Sequence, residues 1–306
     1  MLTQYPHYKF YLVVYFSLNI FIFCDDRYVS DWGYFTVENQ SLTIENQEII
    51  DVVNDHTTYM NSKFGNIQRL PFIIIISNKE KNLYNNNTWN WSLGITINNT
   101  IIIKDSSISH ITKSRLMQVL RHELNHIYLN RLNPSIKIPR WFGEGFSMYY
   151  ANENFLSNKL IIANNLKNND IFNIETLDYR FNSHSKKQFN FAYAYSEILV
   201  KDMIEMYSEE VLVGMLQNIK SGNQFDDAFY KNTLLTVNDY NKKIFNRITS
   251  KFWWIRFMKF PSLLLILAPL LSIIGFIIVK IKNKKVIQKW HIEEELEEIE
   301  NHEIEE

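Results

Sequence analysis

The sequence predicts an α+β protein: a small N-terminal mixed sheet, then a mainly helical lobe, then one C-terminal transmembrane helix. Three observations predict it. Short β-branched runs such as Phe72–Ile76 (FIIII) fall in the first third of the chain. From Thr112 onward the apolar residues recur with a helical period. Phe260–Val279 is a twenty-residue run without a charge. Strands followed by helices, rather than strands alternating with them, is the order of an α+β fold.

The elements follow in chain order. Lys9 precedes Phe10–Cys24, fifteen mostly apolar residues. A basic flank before a short apolar run reads as a secretory signal. Phe21, Ile22 and Phe23 are bulky for a cleavage site, so residues 1–24 read as a signal peptide or an uncleaved anchor. Trp32–Val37 is a short strand. Leu42 to about Lys63 is a helix with Ile44, Ile49, Val52 and Val53 on its apolar face. Phe72–Ile76 follows Pro71 and precedes a polar loop, which marks a buried strand. Ile95–Ile103 is one more strand, or two in a hairpin. A helix spans 112–131 and ends in a loop bounded by Pro134 and Pro139. Further helices occupy 141–151, 189–207, 208–219 and 236–249. The Asn-rich stretches NNNTWN and NNLKNND are surface loops, and Asn86, Asn90 and Asn98 match the N-glycosylation acceptor pattern.

Twenty residues at a rise of about 1.5 Å cover the roughly 30 Å hydrocarbon core of a bilayer. Trp253 and Trp254 precede the run at the place of an interfacial aromatic belt, and Lys280, Lys282, Lys284 and Lys285 follow it. With Lys9 held inside, residues 25–259 are expected outside the cytoplasm and the C-terminus within it. The tail carries nine Glu and five Lys, and the 279 residues before it hold 27 basic and 24 acidic side chains. A chain of net charge −1 lacks the phosphate-neutralising excess of a nucleic-acid binder. Its single cysteine, Cys24, excludes an internal disulfide, Cys-rich zinc modules and iron–sulfur clusters.

The chemistry concentrates in Arg121–Ile127, RHELNHI. Four helical residues turn about 400°, so His122 and His126 share one face. Two neutral imidazoles so placed can hold one zinc ion, and Glu123 beside them can reach a zinc-bound water rather than the ion. Catalytic zinc needs a third protein ligand and one open position. Glu144, eighteen residues past His126 in PRWFGEGF, can return a carboxylate to the first helix, and Gly143 and Gly145 leave room for close helix approach.

HELNH followed by PRWFGEGFSMYY resembles the gluzincin metallopeptidases, in particular the peptidase-MA-like family, whose pattern is HExxH and then W-x-x-E-G. The resemblance extends over most of residues 33–250. It implies a zincin-type helical lobe, one Zn2+ held by His122, His126 and Glu144, and Glu123 as general base and acid. It also implies an oxyanion-stabilising Tyr or His on a later helix. Tyr193 and Tyr195 are the candidates, Tyr193 slightly preferred, with His184 a weaker third. The strand Gly94–Ile103 would pair with an extended substrate backbone. Asn125 and Ser147 are near enough in sequence to support the ligands.

The organisation expected is therefore 1–24 signal or anchor, 25–250 zinc metallopeptidase-like domain, 251–259 juxtamembrane segment, 260–279 transmembrane helix and 280–306 basic-then-acidic cytoplasmic tail. The expected function is membrane-anchored, zinc-dependent hydrolysis of peptide bonds by Glu-assisted attack of a zinc-bound water. An endopeptidase is favoured, because no motif supplies an acidic anchor for a substrate amine. The partners are a peptide or protein substrate and, through 260–279, the lipid bilayer of the cell membrane. The alternative is a catalytically silent, zinc-stabilised binding or sensor domain coupled to the tail.

Overall fold

The computed structural model describes residues 27–78, 92–153, 156–166, 172–252 and 261–304. The expected signal or anchor at 1–24, Asn86 and Asn90, and residues 253–260 lie outside the described residues. The chain divides into two units, Met1–Ser250 and Lys251–Glu306.

The first unit opens with a five-stranded mixed sheet. Strands β1 (Arg27–Ser30) and β2 (Gly33–Asn39) form an antiparallel hairpin, and β3 (Phe72–Ser77) runs parallel to β2. The 95–103 segment is a hairpin of β4 (Gly94–Ile97) and β5 (Thr100–Lys104). Strand β5 pairs parallel with β3, so the order is β1-β2-β3-β5-β4 and β4 is an edge. The period of two puts Phe35, Phe72, Ile74, Ile76, Ile101 and Ile103 on one buried face. Helices α1 (Asn46–Phe64) and α3 (Lys113–Leu132) pack with the sheet, α3 over β4 and β5. A single turn, α2 (Ser106–Ser109), precedes α3.

Arg131 pins the end of α3 to the sheet. Its guanidinium donates to the carbonyls of Trp32 (3.1 Å) and Pro71 (3.3 Å) and to Asn99 Oδ1 (3.0 Å). The Pro-bounded loop then delivers α4 (Arg140–Tyr150) against α3. Helix α4 packs most extensively on α7 (Lys186–Tyr207). A Cβ on Gly145 would collide with the backbone carbonyl of Ser196, so glycine permits this approach. Gly143 has no such role, because a Cβ there meets nothing closer than 3.9 Å.

The remaining helices are α5 (Leu156–Asn165), α6 (Leu177–Phe181), α8 (Glu210–Lys220), α9 (Phe225–Thr233) and α10 (Val237–Phe252). The predicted helices at 112–131, 141–151, 189–207, 208–219 and 236–249 correspond to α3, α4, α7, α8 and α10. Strand β1 and helices α5, α6 and α9 were not expected from the sequence.

The second unit holds one helix, α11 (Pro261–Ile304), which runs through the lysine cluster into the acidic tail. Among the described residues no helix is long and apolar enough to cross a membrane. The expected twenty-residue span at 260–279 falls at the start of α11, and Phe260 lies outside the described residues.

A buried polar bridge joins α1, α3 and α4. His56 Nε2 donates to Asn125 Oδ1 (2.8 Å), and Asn125 Nδ2 donates to the carbonyl of Ser147 (3.2 Å). Burial lowers the His56 imidazole to about 4, overriding the opposing hydrogen bond with Asn125. The folded state keeps His56 neutral where the unfolded chain takes up a proton. Stability is thus intact above the ordinary histidine value of about 6.5 and falls as pH drops toward 4, by about 3 kcal/mol. Urea unfolding from pH 7 to 4 should show this loss, and His56→Gln should flatten that part of the curve.

Candidate metal centre

Helix α3 presents His122 and His126 on one face, and α4 brings Glu144 to them. His122 Nε2 lies 3.1 Å from His126 Nε2 and 3.3 Å from Glu144 Oε2, and His126 Nε2 lies 3.4 Å from Glu144 Oε2. Tetrahedral bonds of about 2.0–2.1 Å place neighbouring donors about 3.3–3.4 Å apart. The three atoms thus match one face of a tetrahedron, and the group could hold a metal ion. His122 and Glu144 are buried, and His126 is half-buried.

The two oxygens of Glu144 are divided. Oε2 faces the imidazoles, while Oε1 accepts from Tyr193 Oη (3.2 Å) and Arg140 Nε (3.3 Å). This bonding fixes the carboxylate's orientation. Burial disfavours the Glu144 charge, yet His126 and His122 hold its carboxyl well below the usual range. For His122, burial opposes the imidazolium, but Glu153 and Glu144 raise it well above its ordinary value. A metal ion would displace that proton, since coordination requires the neutral imidazole.

Glu123 is buried beside them. Thr96 Oγ1 donates to its Oε2 (2.6 Å), which ties the carboxylate to edge strand β4. Burial pushes its carboxyl up, against the pull of His122, His126 and the Thr96 hydroxyl. Gly94 makes the space: a Cβ there would sit 2.7 Å from Glu123 Oε1 and 2.8 Å from Val119 Cγ1. A cavity of about 370 Å³ opens here, lined by β4, the three candidate ligands, Glu123, Arg140 and Tyr193. A second of about 330 Å³ adjoins it past His122 and Glu123.

The two tyrosines part company. Tyr193 reaches Glu144, whereas Tyr195 Oη donates to Asn241 Oδ1 (2.6 Å), away from the cavity. Two helical positions differ by about 200°, so one helix cannot aim both at one site. His184 is exposed and does not line the cavity. Asn125 and the Ser147 carbonyl join the α1–α3–α4 bridge described above rather than hydrogen-bonding a candidate ligand.

Two residues escaped the sequence reading. Glu153 is buried, with Oε2 3.6 Å from His122 Nδ1 and Oε1 2.9 Å from Arg115 Nη1. It is placed to orient the imidazole from its far side. The signal is Asn152, whose left-handed backbone (φ 59°) ends α4 and turns the next side chain inward. Arg140 carries a weaker signal, one helical turn before Glu144.

A family model described as the Peptidase MA superfamily matches residues 56–249. The chain belongs to the Peptidase MA superfamily. Its match takes in α3, α4 and α7, the elements that carry the candidate ligands and Tyr193. A comparison with curated proteins finds no match. Membership supports a peptidase-like function acting on a peptide or protein, and the superfamily is typically metal-dependent.

The glycines around the centre rank by space. Gly143→Ala should be neutral or stabilising, by up to about 1 kcal/mol of helix propensity. Gly94→Ala should cost about 1–3 kcal/mol as an overpacked site, and Gly145→Ala more, because backbone must move. Urea midpoints of the three variants would check this order.

Proposed function

We propose that the protein is a zinc-dependent metallopeptidase of the gluzincin type that hydrolyses internal peptide bonds. The observation that carries the reading is the placement of Glu123 beside three converging donors, with its own carboxylate held by Thr96. A site serving structure alone has no use for that base. His122, His126 and Glu144 would hold the ion. Zinc fits the donor set of two imidazoles and one carboxylate, and when bound it polarises a carbonyl and makes water acidic.

The chain's own residues supply the rest. Glu123 takes a proton from the attacking water and returns it to the leaving amine. One carboxyl group serves both tasks, as a base in the attack and as an acid once it has taken the proton. The Tyr193 hydroxyl keeps its proton, since burial and the Glu144 charge push it well above the ordinary tyrosine value. It is therefore a donor, available to the developing oxyanion if it exchanges Glu144 for substrate. The edge of β4, unpaired among the described residues, lines the cavity through Gly94, Ile95 and Thr96 and suits an extended substrate added as a further strand.

The same proposal sets the enzyme at the cell membrane. The uncharged run 260–279, the lysines after it and the apolar N-terminal segment support an extracytoplasmic catalytic domain with a cytoplasmic C-terminus.

The test is cleavage of a diverse peptide library by the metal-loaded wild type and by Glu123→Gln. The wild type should cut internal bonds, and the variant should lose about 10²–10⁴-fold in kcat, the usual contribution of a positioned acid–base group. A wild type that cuts nothing while holding its metal would leave the binding or sensor reading instead.

A further inference from the structure

Among the described residues, Arg140 is the only lysine or arginine lining the cavity of the metal centre. It is the first residue of α4 and is fixed on three sides. Nε donates to Glu144 Oε1 (3.3 Å), Nη1 donates to Asn182 Oδ1 (3.0 Å), and the guanidinium lies 4.6 Å from the Phe181 ring centroid. Its side chain is still 37% exposed. A further hydrogen bond with Tyr193 still leaves donors over on a group that carries five.

The charges around it point one way. The cavity is lined by two carboxylates, Glu123 and Glu144. Glu144 is shared between the candidate ion and Arg140, and Glu123 is occupied by Thr96. A divalent ion, two carboxylates and Arg140 sum to one positive charge. An incoming ammonium therefore finds no unengaged carboxylate, whereas an incoming carboxylate finds a held guanidinium. The adjoining cavity differs: its arginine, Arg115, is paired with Glu153 at 2.9 Å, and Asn158 and Asn190 line it as neutral polar groups. The positive charge sits at one end of the cleft. A planar fork held rigid beside an apolar wall, here Leu129, Ile138 and Pro139, is the geometry that recognises carboxylate groups.

We infer that Arg140 selects substrates bearing a carboxylate close to the scissile bond, either an acidic side chain or the free C-terminus of a peptide. This rests on the peptidase reading for its substrate, whether the bond cut is internal or next to the C-terminus, and it assigns Arg140 a role in recognition beyond its contact with Glu144.

The experiment uses the full chain loaded with zinc, and matched peptides that differ only by Glu against Gln at successive positions, or by a C-terminal acid against an amide. kcat/KM is measured with wild type, Arg140→Gln and Arg140→Lys, and Kd with Glu123→Gln alone and combined with Arg140→Gln. Zinc content is read in every variant, so that a lost ion is not mistaken for lost recognition. The wild type should favour one carboxylate-bearing class at least tenfold. Arg140→Gln should bring that ratio to within about twofold at full zinc content, and Arg140→Lys should retain part of it. A preference confined to the C-terminal acid identifies the free terminus as the recognised group, and one confined to Glu identifies an acidic side chain. Cleavage without carboxylate preference, or a preference that survives Arg140→Gln, overturns the inference alone. Arg140-dependent binding by Glu123→Gln, with no cleavage by wild type, overturns the peptidase reading alone.

Discussion

The separation between α3 and α4 governs this structure. Glu144 can lie 3.3–3.4 Å from two imidazole nitrogens only if two helix backbones are held at one fixed spacing along several residues. Gly145 lets α4 sit close on α7 behind it, because the Ser196 carbonyl of α7 occupies the space of its missing side chain. Arg131 holds α3 from the sheet side by anchoring it to three acceptors. The His56–Asn125–Ser147 bridge then links α3 to α4 directly. Packing alone tolerates slippage of a few tenths of an ångström. Directional bonds to backbone carbonyls do not, since a buried donor left unsatisfied costs about 1–3 kcal/mol.

A supporting layer turns a cluster of ligand-type residues into an oriented site. Glu153 faces the far nitrogen of His122, and Tyr193 and Arg140 share the outer oxygen of Glu144. Thr96 reaches Glu123 from the sheet. Each of the three acidic or imidazole groups is thus held by residues from a different element. The edge strand serves two ends at once: it holds Glu123 and, among the described residues, presents an unpaired backbone edge to the same cavity.

Much of this was legible in the sequence, for identifiable reasons. A helical repeat placed both histidines on one face of α3, and the Pro-bounded loop placed Glu144 on the next helix. The alternation in 95–103 left a hairpin open as one of two readings, and the hairpin formed. What escaped depends on contacts that no repeat encodes. Helix α5 (LSNKLIIANN) and helix α9 (FDDAFYKNT) are only ten and nine residues long, too short for a repeat to stand out, and tertiary packing forms them. Glu153 is selected by a left-handed turn at Asn152, not by helical spacing. The choice between Tyr193 and Tyr195 was open until the orientation of α7 was fixed by α4. The lysine cluster and the acidic tail continue α11 through Ile304.

The central claim is that His122, His126 and Glu144 hold one divalent ion. It is tested most directly by elemental analysis of the purified protein after equilibration with zinc and removal of free metal, wild type beside Glu144→Ala. About one zinc per chain in the wild type, with affinity weakened by orders of magnitude in the variant, is the predicted result. A folded wild type that binds no metal, or a variant that binds it equally well, would contradict the account.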